Sequence, residues 1–511
     1  MKQVIHIFRK DVRHLWKEVA ASLAMIAFYM WAEPGTWAVP RDGIRDSIAG
    51  WLSVFLPLSW WLLVVRSIQD EPLVGDRQFW VTRPYEWKSL LAEKILFIVT
   101  FVHAPLLIAQ AGLLKIAGFP LSSANMLGIL WMQRLWAVVT VALATLAAIT
   151  AGIGKMALAI LGIGLYFQLI VYLASLLPQG VDRAERVPNF LIFALPVAIC
   201  VGVTIWQYAR RRTLQARIAL AGALVAPFVV QAATPHRYLA ERAYPVPAST
   251  QQAPVQISFV PLGTRQPRGV VSTGRTENKD WIVIEPELHI TGIAAGSMLA
   301  TEGSRVEIEA PDGFRWDLGW GGGGGLQLRD GNYFHFNIML ERKVYERVKD
   351  VPVKLRVSFA LADYSLSDTR TLTVPNDEIA VPGLGLCEPG LNSQGVQCRY
   401  AWRQPGYIAA LTQRDSTCPG VDKTNADGQT QTWVRASPIW AEFGISPVNT
   451  LNLTMTSGNN QPMLCPGTPF TLTFPREQGR SRATVEMNGV RLSDFRQPGD
   501  TSVPAGAHMV R

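Results

Sequence analysis

The chain has 511 residues, a hydrophobic fraction of 49 % and a formal net charge of +9, so it is long enough for more than one structural unit. Its long uncharged runs fall almost entirely before residue 233, and the remainder has the composition of a soluble protein. The basic residues flank the apolar runs, which is typical of a membrane protein and disfavours nucleic acid as a partner.

The first 17 residues predict an amphipathic helix lying on the face of a membrane. This segment carries five Lys or Arg residues. Its apolar residues recur at helical spacing and are Val4, Ile7, Phe8, Val12, Leu15 and Trp16. A secretory signal peptide is the alternative, but the basic region is long and no small-residue cleavage site follows.

Seven apolar runs follow, at residues 19–32, 48–65, 95–114, 135–153, 156–177, 190–208 and 218–233. A helix needs roughly 20 apolar residues to cross a bilayer, with about 17 as the lower limit. The middle five runs reach that length, while the first has 14 residues and the last has 16. Tryptophans at the ends of several runs favour a bilayer over a buried soluble bundle. We therefore predict a polytopic α-helical membrane domain of six or seven transmembrane helices over residues 1–233.

The distribution of Lys and Arg predicts the orientation of these helices. The N-terminal arm, residues 66–94, Lys155 and residues 210–217 together hold 15 basic residues, against 6 in the loops of the other side. The positive-inside rule places the richer side in the cytoplasm. We expect a cytoplasmic N-terminus and an extracytoplasmic region after residue 233.

The region after the last run predicts β structure. Residues 234–254 are rich in Pro, Ala and Gln and indicate a linker. Apolar and polar residues then alternate in stretches that begin at Val255, Trp281, Arg305, Phe334, Lys354, Asn449 and Phe470. We predict an all-β, sandwich-like region, divided into modules at 255–380 and 381–511, with one large sandwich as the alternative. The dipeptides Asp330-Gly331 and Asn488-Gly489 predict two hairpin turns.

Four cysteines lie in the second β module: Cys387, Cys398, Cys418 and Cys465. In an exported domain such cysteines are typical of disulfides. Three pairings are possible, and we favour the sequential pairs Cys387–Cys398 and Cys418–Cys465. Unpaired thiols are the alternative, and a zinc site is disfavoured because the sequence has no CxxC pair.

No catalytic motif is present in the sequence. The only Gly-Lys pair, Gly154-Lys155, lacks the other residues of a phosphate-binding loop, and the motifs of zinc proteases and serine hydrolases do not occur. We therefore predict that the chain is not an enzyme and binds no cofactor or metal. His103 lies in an apolar run, where an ionisable residue is a functional candidate, although helix packing is the favoured role.

Residues 66–94, which we call the polar loop, form a short basic segment between two apolar runs. Gly75-Asp76 indicates a turn, and Phe79 and Trp80 place aromatic rings beside charges. Aromatic residues with Arg are typical of protein-interface anchors. The alternative is a solvated loop whose aromatic rings rest on lipid headgroups. The residues alone leave both interpretations open.

The polar loop, together with the N-terminal stretch IFRKDVRHLW, resembles the permease subunits of bacterial ABC-2 type transporters. In several members the first cytosolic loop has the form EDPLVGDRAFWLTRP. The matching residues here are Pro72, Leu73, Val74, Gly75, Asp76, Arg77, Phe79, Trp80, Thr82, Arg83 and Pro84. Asp70 and Glu71 keep the acidic pair in exchanged order, and Lys94 precedes the third run.

The resemblance covers residues 1–233 and implies a coupling helix that contacts a separate ATPase subunit, with a second permease copy or homologue completing the pathway. It also implies a bacterial cytoplasmic (inner) membrane. The expected ATPase-contacting residues are Glu71, Pro72, Gly75, Asp76, Arg77, Phe79, Trp80 and Arg83. The chain departs from the family in two ways: it has a seventh apolar run, where the family has six spans, and it has a large outer region. The alternative function is a membrane-tethered extracytoplasmic binding or sensory protein.

Overall fold

The computed structural model describes residues 2–37, 42–71, 74, 86–176, 189–233, 255–260, 281–322, 327–328, 330–381, 385–390, 395–401, 408–413, 417–418, 431–435, 444–453 and 464–496. The chain divides into two compact units. Unit 1 comprises Met1–Ile163, Phe193–Pro227 and Thr369–Phe474. Unit 2 comprises Gly164–Ile192, Phe228–Asp368 and Pro475–Arg511. Both units are discontinuous in sequence, and the module boundaries at residues 233, 254 and 380 stay predictions.

The described N-terminal part is helical. Its helices are α1 (Lys2–His14), α2 (Trp16–Ala32), α3 (Pro34–Trp37), α4 (Gly43–Gln69), α5 (Trp87–Ile98), α6 (Ala104–Ile116), α7 (Ser123–Ile149), α8 (Ile153–Leu176), α9 (Asn189–Arg210) and α10 (Thr213–Ala233). A π-helical turn, Val99–His103, joins α5 to α6. Six of the seven predicted apolar runs coincide largely with one of these helices, and the run 95–114 spans α5, the π-helical turn and α6. The polar loop is shorter than predicted, because α4 extends to Gln69 and α5 already begins at Trp87, so from here on the name refers to residues 70–86.

Local capping determines where two of the long helices begin. The Asp42 side chain accepts hydrogen bonds from the backbone N–H groups of Ile44 and Arg45 at 3.2 and 3.3 Å, at the start of α4. The Ser122 hydroxyl accepts one from the Asn125 N–H at 3.3 Å, at the start of α7. Side-chain oxygens at this position satisfy N–H groups that have no partner inside the helix.

Three helices are long and apolar enough to cross a membrane: Gly43–Gln69, Trp87–Ile116 and Ser123–Ile149. Shorter apolar helices lie at Ile153–Leu169 and Thr213–Ala226. The prediction of an N-terminal helical region with apolar candidate spans is thus confirmed. The number of spans meeting this standard in the described residues is three, not six or seven, partly because α2 has only 17 residues.

Unit 2 is rich in β structure. Its strands are β1 (Gln256–Phe259), β2 (Trp281–Ile284), β3 (Glu287–Thr291), β4 (Ser297–Glu309), β5 (Arg315–Gly322), β6 (Gln327–Leu328), β7 (Tyr333–His335), β8 (Ile338–Glu341), β9 (Val353–Ser365) and β18 (Arg476–Val490), with a short helix, α11 (Arg342–Val348). The main sheet has the order β18-β9-β4-β5, with β6 paired to β4. Strands β1-β3-β7 and β2-β8 form two smaller sheets. Alternate residues of β9, such as Leu355, Val357 and Phe359, are fully buried, as the period-2 pattern predicts.

The β strands of unit 1 form two four-stranded sheets. The strands are β10 (Thr369–Thr373), β11 (Ile379–Val381), β12 (Gly385–Pro389), β13 (Val396–Ala401), β14 (Ile408–Gln413), β15 (Gln431–Arg435), β16 (Val448–Leu453) and β17 (Pro469–Thr473). The sheet orders are β10-β17-β14-β15 and β11-β12-β13-β16. The disulfides Cys387–Cys398 and Cys418–Cys465 join the pairs favoured from the sequence. Cys387 lies directly opposite Cys398 on the adjacent strands β12 and β13.

The two predicted hairpins are wrong. At Asp330-Gly331 the flanking strands take different partners, since β6 pairs with β4 and β7 with β3. Asn488-Gly489 lies within β18, which continues past a bulge so that Val490 still pairs with Val353 of β9. The local turn preference is present at both dipeptides, since Gly331 and Gly489 adopt positive φ values of 74° and 70°. Pairing with distant strands nevertheless decides the fold.

Within unit 1, the sheet β11-β12-β13-β16, which carries the Cys387–Cys398 disulfide, packs against the helices. The Gln110 amide of α6 donates to the carbonyl oxygen of Ile445 at 3.0 Å. The Gln397 amide of β13 donates to the carbonyl oxygen of Trp37 at 3.0 Å. Ile445 and Val448 are buried in the same hydrophobic core as the helices. The residues just before β16 are therefore part of the helical core.

Candidate functional site

Of the predicted ATPase-contacting residues, the structure describes Glu71, which directly follows α4 and Asp70. The remaining predicted residues lie outside the described part of the chain, and their role stays a prediction: Pro72, Gly75, Asp76, Arg77, Phe79, Trp80 and Arg83. The described geometry concerns the two ends of the polar loop and the helices that hold them.

Glu71 belongs to a largely buried group of charged side chains, of which only Lys10 is substantially exposed, and we call this group the ionic cluster. Its members are Lys10, Asp11, Glu71, Glu93 and Lys94. Lys10 and Asp11 come from α1, Glu71 from the start of the polar loop, and Glu93 and Lys94 from α5. Three segments that are distant in sequence therefore meet through charged groups.

Lys94 is the centre of the ionic cluster. Its side chain is 2 % exposed, and its ammonium group donates a hydrogen bond to Asp11 Oδ2. The same Lys94 Nζ lies 3.1 Å from Glu93 Oε2 and 3.6 Å from Glu71 Oε2. Removing an ammonium group from water is costly unless opposite charges surround it, so these contacts are needed to keep Lys94 buried.

Glu71 connects the ionic cluster to the polar loop. Lys10 Nζ donates to Glu71 Oε1 at 2.5 Å. Burial alone would raise the pKa of the Glu71 carboxyl group, but the positive charge of Lys94 and the hydrogen bond from Lys10 outweigh burial and lower that pKa below its usual value. Glu71 is therefore held in its ionised form.

The ionic cluster contains three carboxyl groups and two ammonium groups. Such a group is stable only while its members stay together, because separating one partner leaves a buried charge uncompensated. The elements that carry these side chains are consequently expected to move together. The ionic cluster can transmit a displacement of the polar loop to α1 and α5.

Two polar side-chain contacts at the rim of the ionic cluster also hold the end of α4. Asp70 Oδ2 lies 3.3 Å from His14 Nε2 at the end of α1. Arg66 donates to Glu18 Oε1 of α2 at 2.5 Å. These side chains are partly exposed, so the pairs contribute less than the buried contacts of Lys94. They add α2 to the elements joined at the start of the polar loop.

His103 takes part in a chain of polar side chains farther along the helices. Gln133 donates to Gln110 Oε1 at 2.9 Å, so its own oxygen faces His103 Nδ1, which lies 3.1 Å away. Gln110 in turn donates to the backbone carbonyl oxygen of Ile445. Hydrogen bonds between helices satisfy polar groups that lipid cannot solvate. This geometry fits the packing role predicted for His103.

Asp11, Glu93 and the pair Gln110 and Gln133 were not predicted as functional residues. A signal for Asp11 was present, because it lies four residues after Ile7 and four before Leu15, on the apolar face of α1. A carboxylate on a buried helix face calls for a basic partner. Its partner Lys94 lies 83 residues away and could be identified only from the fold.

Comparisons with known proteins leave the family open. No protein-family profile matches the sequence, and no curated protein sequence matches it. Among solved structures, the transglutaminase of red sea bream aligns at 9 % identity over 50 % of this chain, with a TM-score of 0.13. The alignment covers 33 % of the transglutaminase chain, and a similarity this weak carries no argument about fold or function.

Proposed function

We propose that the chain is the transmembrane permease subunit of an ABC transporter, and that its polar loop receives movement from a separate ATPase subunit. The observation that supports this function best is the ionic cluster. It joins Glu71, at the first residues of the polar loop, to Lys94, in the helix that follows it. Both ends of the polar loop are thereby tied to the helices and to α1.

The proposed mechanism follows from this connection. ATP binding and hydrolysis on the partner would displace the polar loop, and the ionic cluster would pass that displacement to α1, α4 and α5 as one body. Alternating access then requires that ATP or the transported molecule bind the inward-facing and outward-facing states with different affinity. The buried charges favour movement of the whole group over separation of its members.

The proposal includes the finer topology of six or seven spans, with the N-terminus and the polar loop in the cytoplasm. Lys94 and Gln110 lie 16 residues apart on the continuous helix Trp87–Ile116, which corresponds to about 24 Å along its axis. The ionic cluster surrounds Lys94, and the contact with Ile445 is made by Gln110. This separation is most of the roughly 30 Å thickness of the hydrocarbon core, which supports opposite sides for the two sites.

The disulfides support an extracytoplasmic β region. Cys387–Cys398 joins two strands of the sheet that contacts the helices near Ile445, and Cys418–Cys465 lies in the same unit. Disulfides persist in oxidising compartments and are rare in the cytosol. Together with the resemblance of the polar loop, this favours the cytoplasmic membrane of a bacterium, a sandwich-like outer region and a second permease copy or homologue that completes the pathway.

Co-purification of the full-length chain with an ABC-type ATPase from its native membranes tests the proposal. The variants are Glu71→Gln, Asp76→Asn, Arg77→Gln and Trp80→Ala, with Tyr333→Ala as the control because Tyr333 is exposed in unit 2. We expect the ATPase to be retained by the control and lost by at least one variant of the polar loop that inserts normally into the membrane. Unchanged association in all four variants would contradict the proposal.

A further inference from the structure

A cavity of about 650 Å³ lies among the helices of unit 1, between α5, α6, α7 and α9. Its wall is mostly aliphatic and includes Leu91, Ile98, Leu107 and Val141. The volume lies within the range of about 300–1,000 Å³ that is usual for sites of small organic molecules. Glu71, the described residue among those predicted to contact the ATPase, does not line the cavity.

Part of the cavity wall faces outward from the described helices. Ile95, Val99 and Leu130 line the cavity and are 55 %, 48 % and 53 % exposed. They belong to Trp87–Ile116 and Ser123–Ile149, which are apolar enough to cross a membrane. The medium beside such a wall is hydrocarbon, so a hydrocarbon chain is the expected content of the cavity.

Arg134 gives the cavity a positive charge. It lines the cavity, it is exposed, and it lies inside the candidate span Ser123–Ile149. Within the described part of the chain, no carboxylate lies within ion-pair distance of its guanidinium group, which stacks over the Trp131 ring at 3.5 Å from the ring centroid. A charged side chain in a span is costly without a partner of opposite charge.

The other cationic group in the wall is already neutralised. Lys94 also lines the cavity, but its ammonium group contacts Asp11, Glu71 and Glu93. The charge available to a ligand is therefore that of Arg134. A planar guanidinium group binds the oxygens of a phosphate well, because it presents two parallel N–H donors.

The dimensions of the cavity match one lipid chain. Arg134 and Ala144 both line it and are ten residues apart on α7, or about 15 Å along the helix axis. This is about half of the roughly 30 Å hydrocarbon core, and so the depth of one leaflet. Arg134 follows Gln133, which contacts Gln110 at the end of the helices away from Lys94, so Arg134 lies toward that surface of the proposed bilayer. A chain lying along α7 would keep its head group at Arg134.

We propose that this cavity is a binding site for an anionic phospholipid of the surrounding bilayer. One acyl chain fills the aliphatic cavity and the phosphate-containing head group contacts Arg134. The site goes beyond the proposed function, and it requires only that these helices lie in a membrane. It would remain if no ATPase bound to the polar loop.

Native mass spectrometry of the delipidated full-length protein tests this site. The probes are phosphatidylglycerol and phosphatidylcholine with identical palmitoyl and oleoyl chains, added separately and in competition. Arg134→Gln removes the charge, Arg134→Lys keeps it, and Ala137→Phe fills the cavity from its wall. Ala142→Phe is the matched control, since Ala142 lies on the same helix and does not line this cavity.

We expect the wild-type protein to retain one phosphatidylglycerol with roughly tenfold preference over phosphatidylcholine, because the choline cation of the zwitterionic lipid offsets the attraction between its phosphate and Arg134. Arg134→Gln should abolish that preference, and Arg134→Lys should keep part of it. Ala137→Phe should reduce retention of both lipids, whereas Ala142→Phe should not. An unchanged preference in Arg134→Gln would overturn the proposal, and this comparison stands even if Ala137→Phe fails to fold.

Discussion

Two regions of the molecule hold ion pairs of similar length, the helices around Lys94 and the polar face of the β18-β9 pair in unit 2. Lys94 Nζ lies 3.1 Å from Glu93 Oε2, and Lys354 Nζ lies 2.9 Å from Glu486 Oε2. Their exposure differs greatly, with the Lys94 and Glu93 side chains at 2 % and 0 % and the other two at 36 % and 38 %. The two sets of ion pairs therefore differ in their exposure to solvent rather than in the distance between their charges.

This difference determines what each group of charges can do. Exposed pairs are screened by water and salt, and they contribute little to stability. A buried group of charges contributes little more stability than a well-packed apolar core would, but removal of one partner costs the protein much of its stability. The sheet can therefore tolerate changes in its charges, while the ionic cluster acts as a single connection between the polar loop and the helices.

The strongest test of the comparison is Lys94→Met. It leaves Asp11, Glu71 and Glu93 close together without their central cation. We expect a loss of about 3–5 kcal/mol in the free energy of unfolding, as for other broken buried ion pairs. Unfolding in mixed micelles measures the loss. The control is Lys88→Met on the same helix, whose side chain is exposed and whose replacement should change stability by less than about 0.5 kcal/mol.

The two disulfides of unit 1 provide a second test. We expect the double variant Cys418→Ser with Cys465→Ser to lose about 2–4 kcal/mol of stability, because the disulfide closes a long loop with a sequence separation of 47. The corresponding change at Cys387 and Cys398 should cost less, since their separation is 11. Thermal unfolding with and without a reductant measures both effects. An equal loss in the two variants would contradict this order.

Glu71→Gln tests the ionic cluster through its pH dependence. The lowered pKa of Glu71 means that its contribution to stability is present above the ordinary glutamate value of 4.5 and is lost as the pH falls through the lower folded-state value. At pH 7 we expect the variant to lose about 1–3 kcal/mol, which is less than for Lys94→Met because Lys94 keeps Asp11. The difference from the wild type should shrink in acid. A difference that stays constant down to acid pH would contradict the assigned ion pair.

The smallest effect is expected in unit 2. Arg356→Ala removes an exposed contact with Glu486, and we expect the melting temperature to change by no more than about 2 °C. The change should become smaller in 1 M salt, where charges are screened over about 3 Å. Calorimetry at low and high salt checks both statements. A loss of stability as large as that expected for Lys94→Met would contradict the difference between exposed and buried ion pairs.

The sequence pattern predicted much of the secondary structure. The seven apolar runs coincide with helices, and the alternating stretches coincide with strands such as β1, β9 and β16. Turn positions failed at Asp330-Gly331 and Asn488-Gly489, because distant strands compete with the local hairpin. Local preference is therefore a good guide to an element, and a poor one to its pairing partner.

Less of the candidate site could be predicted. Glu71 was identified from its position in the polar loop, but its contacts with Lys10 and Lys94 depend on the packing of α1 against α5. The cavity beside Arg134 is likewise formed by several helices and has no signature in any one of them. Such contacts over long sequence separations are set by tertiary structure, which a single sequence does not display.

Labelling of the polar loop in spheroplasts tests its cytoplasmic position most directly. Cys200 is buried and the other four cysteines form disulfides, so Gly75→Cys and the exposed Tyr333→Cys each supply a new reactive thiol. With a membrane-impermeant maleimide, we predict that Tyr333→Cys is labelled on intact spheroplasts and Gly75→Cys only after permeabilisation. Labelling of Gly75→Cys on intact spheroplasts would contradict contact between the polar loop and a cytoplasmic ATPase.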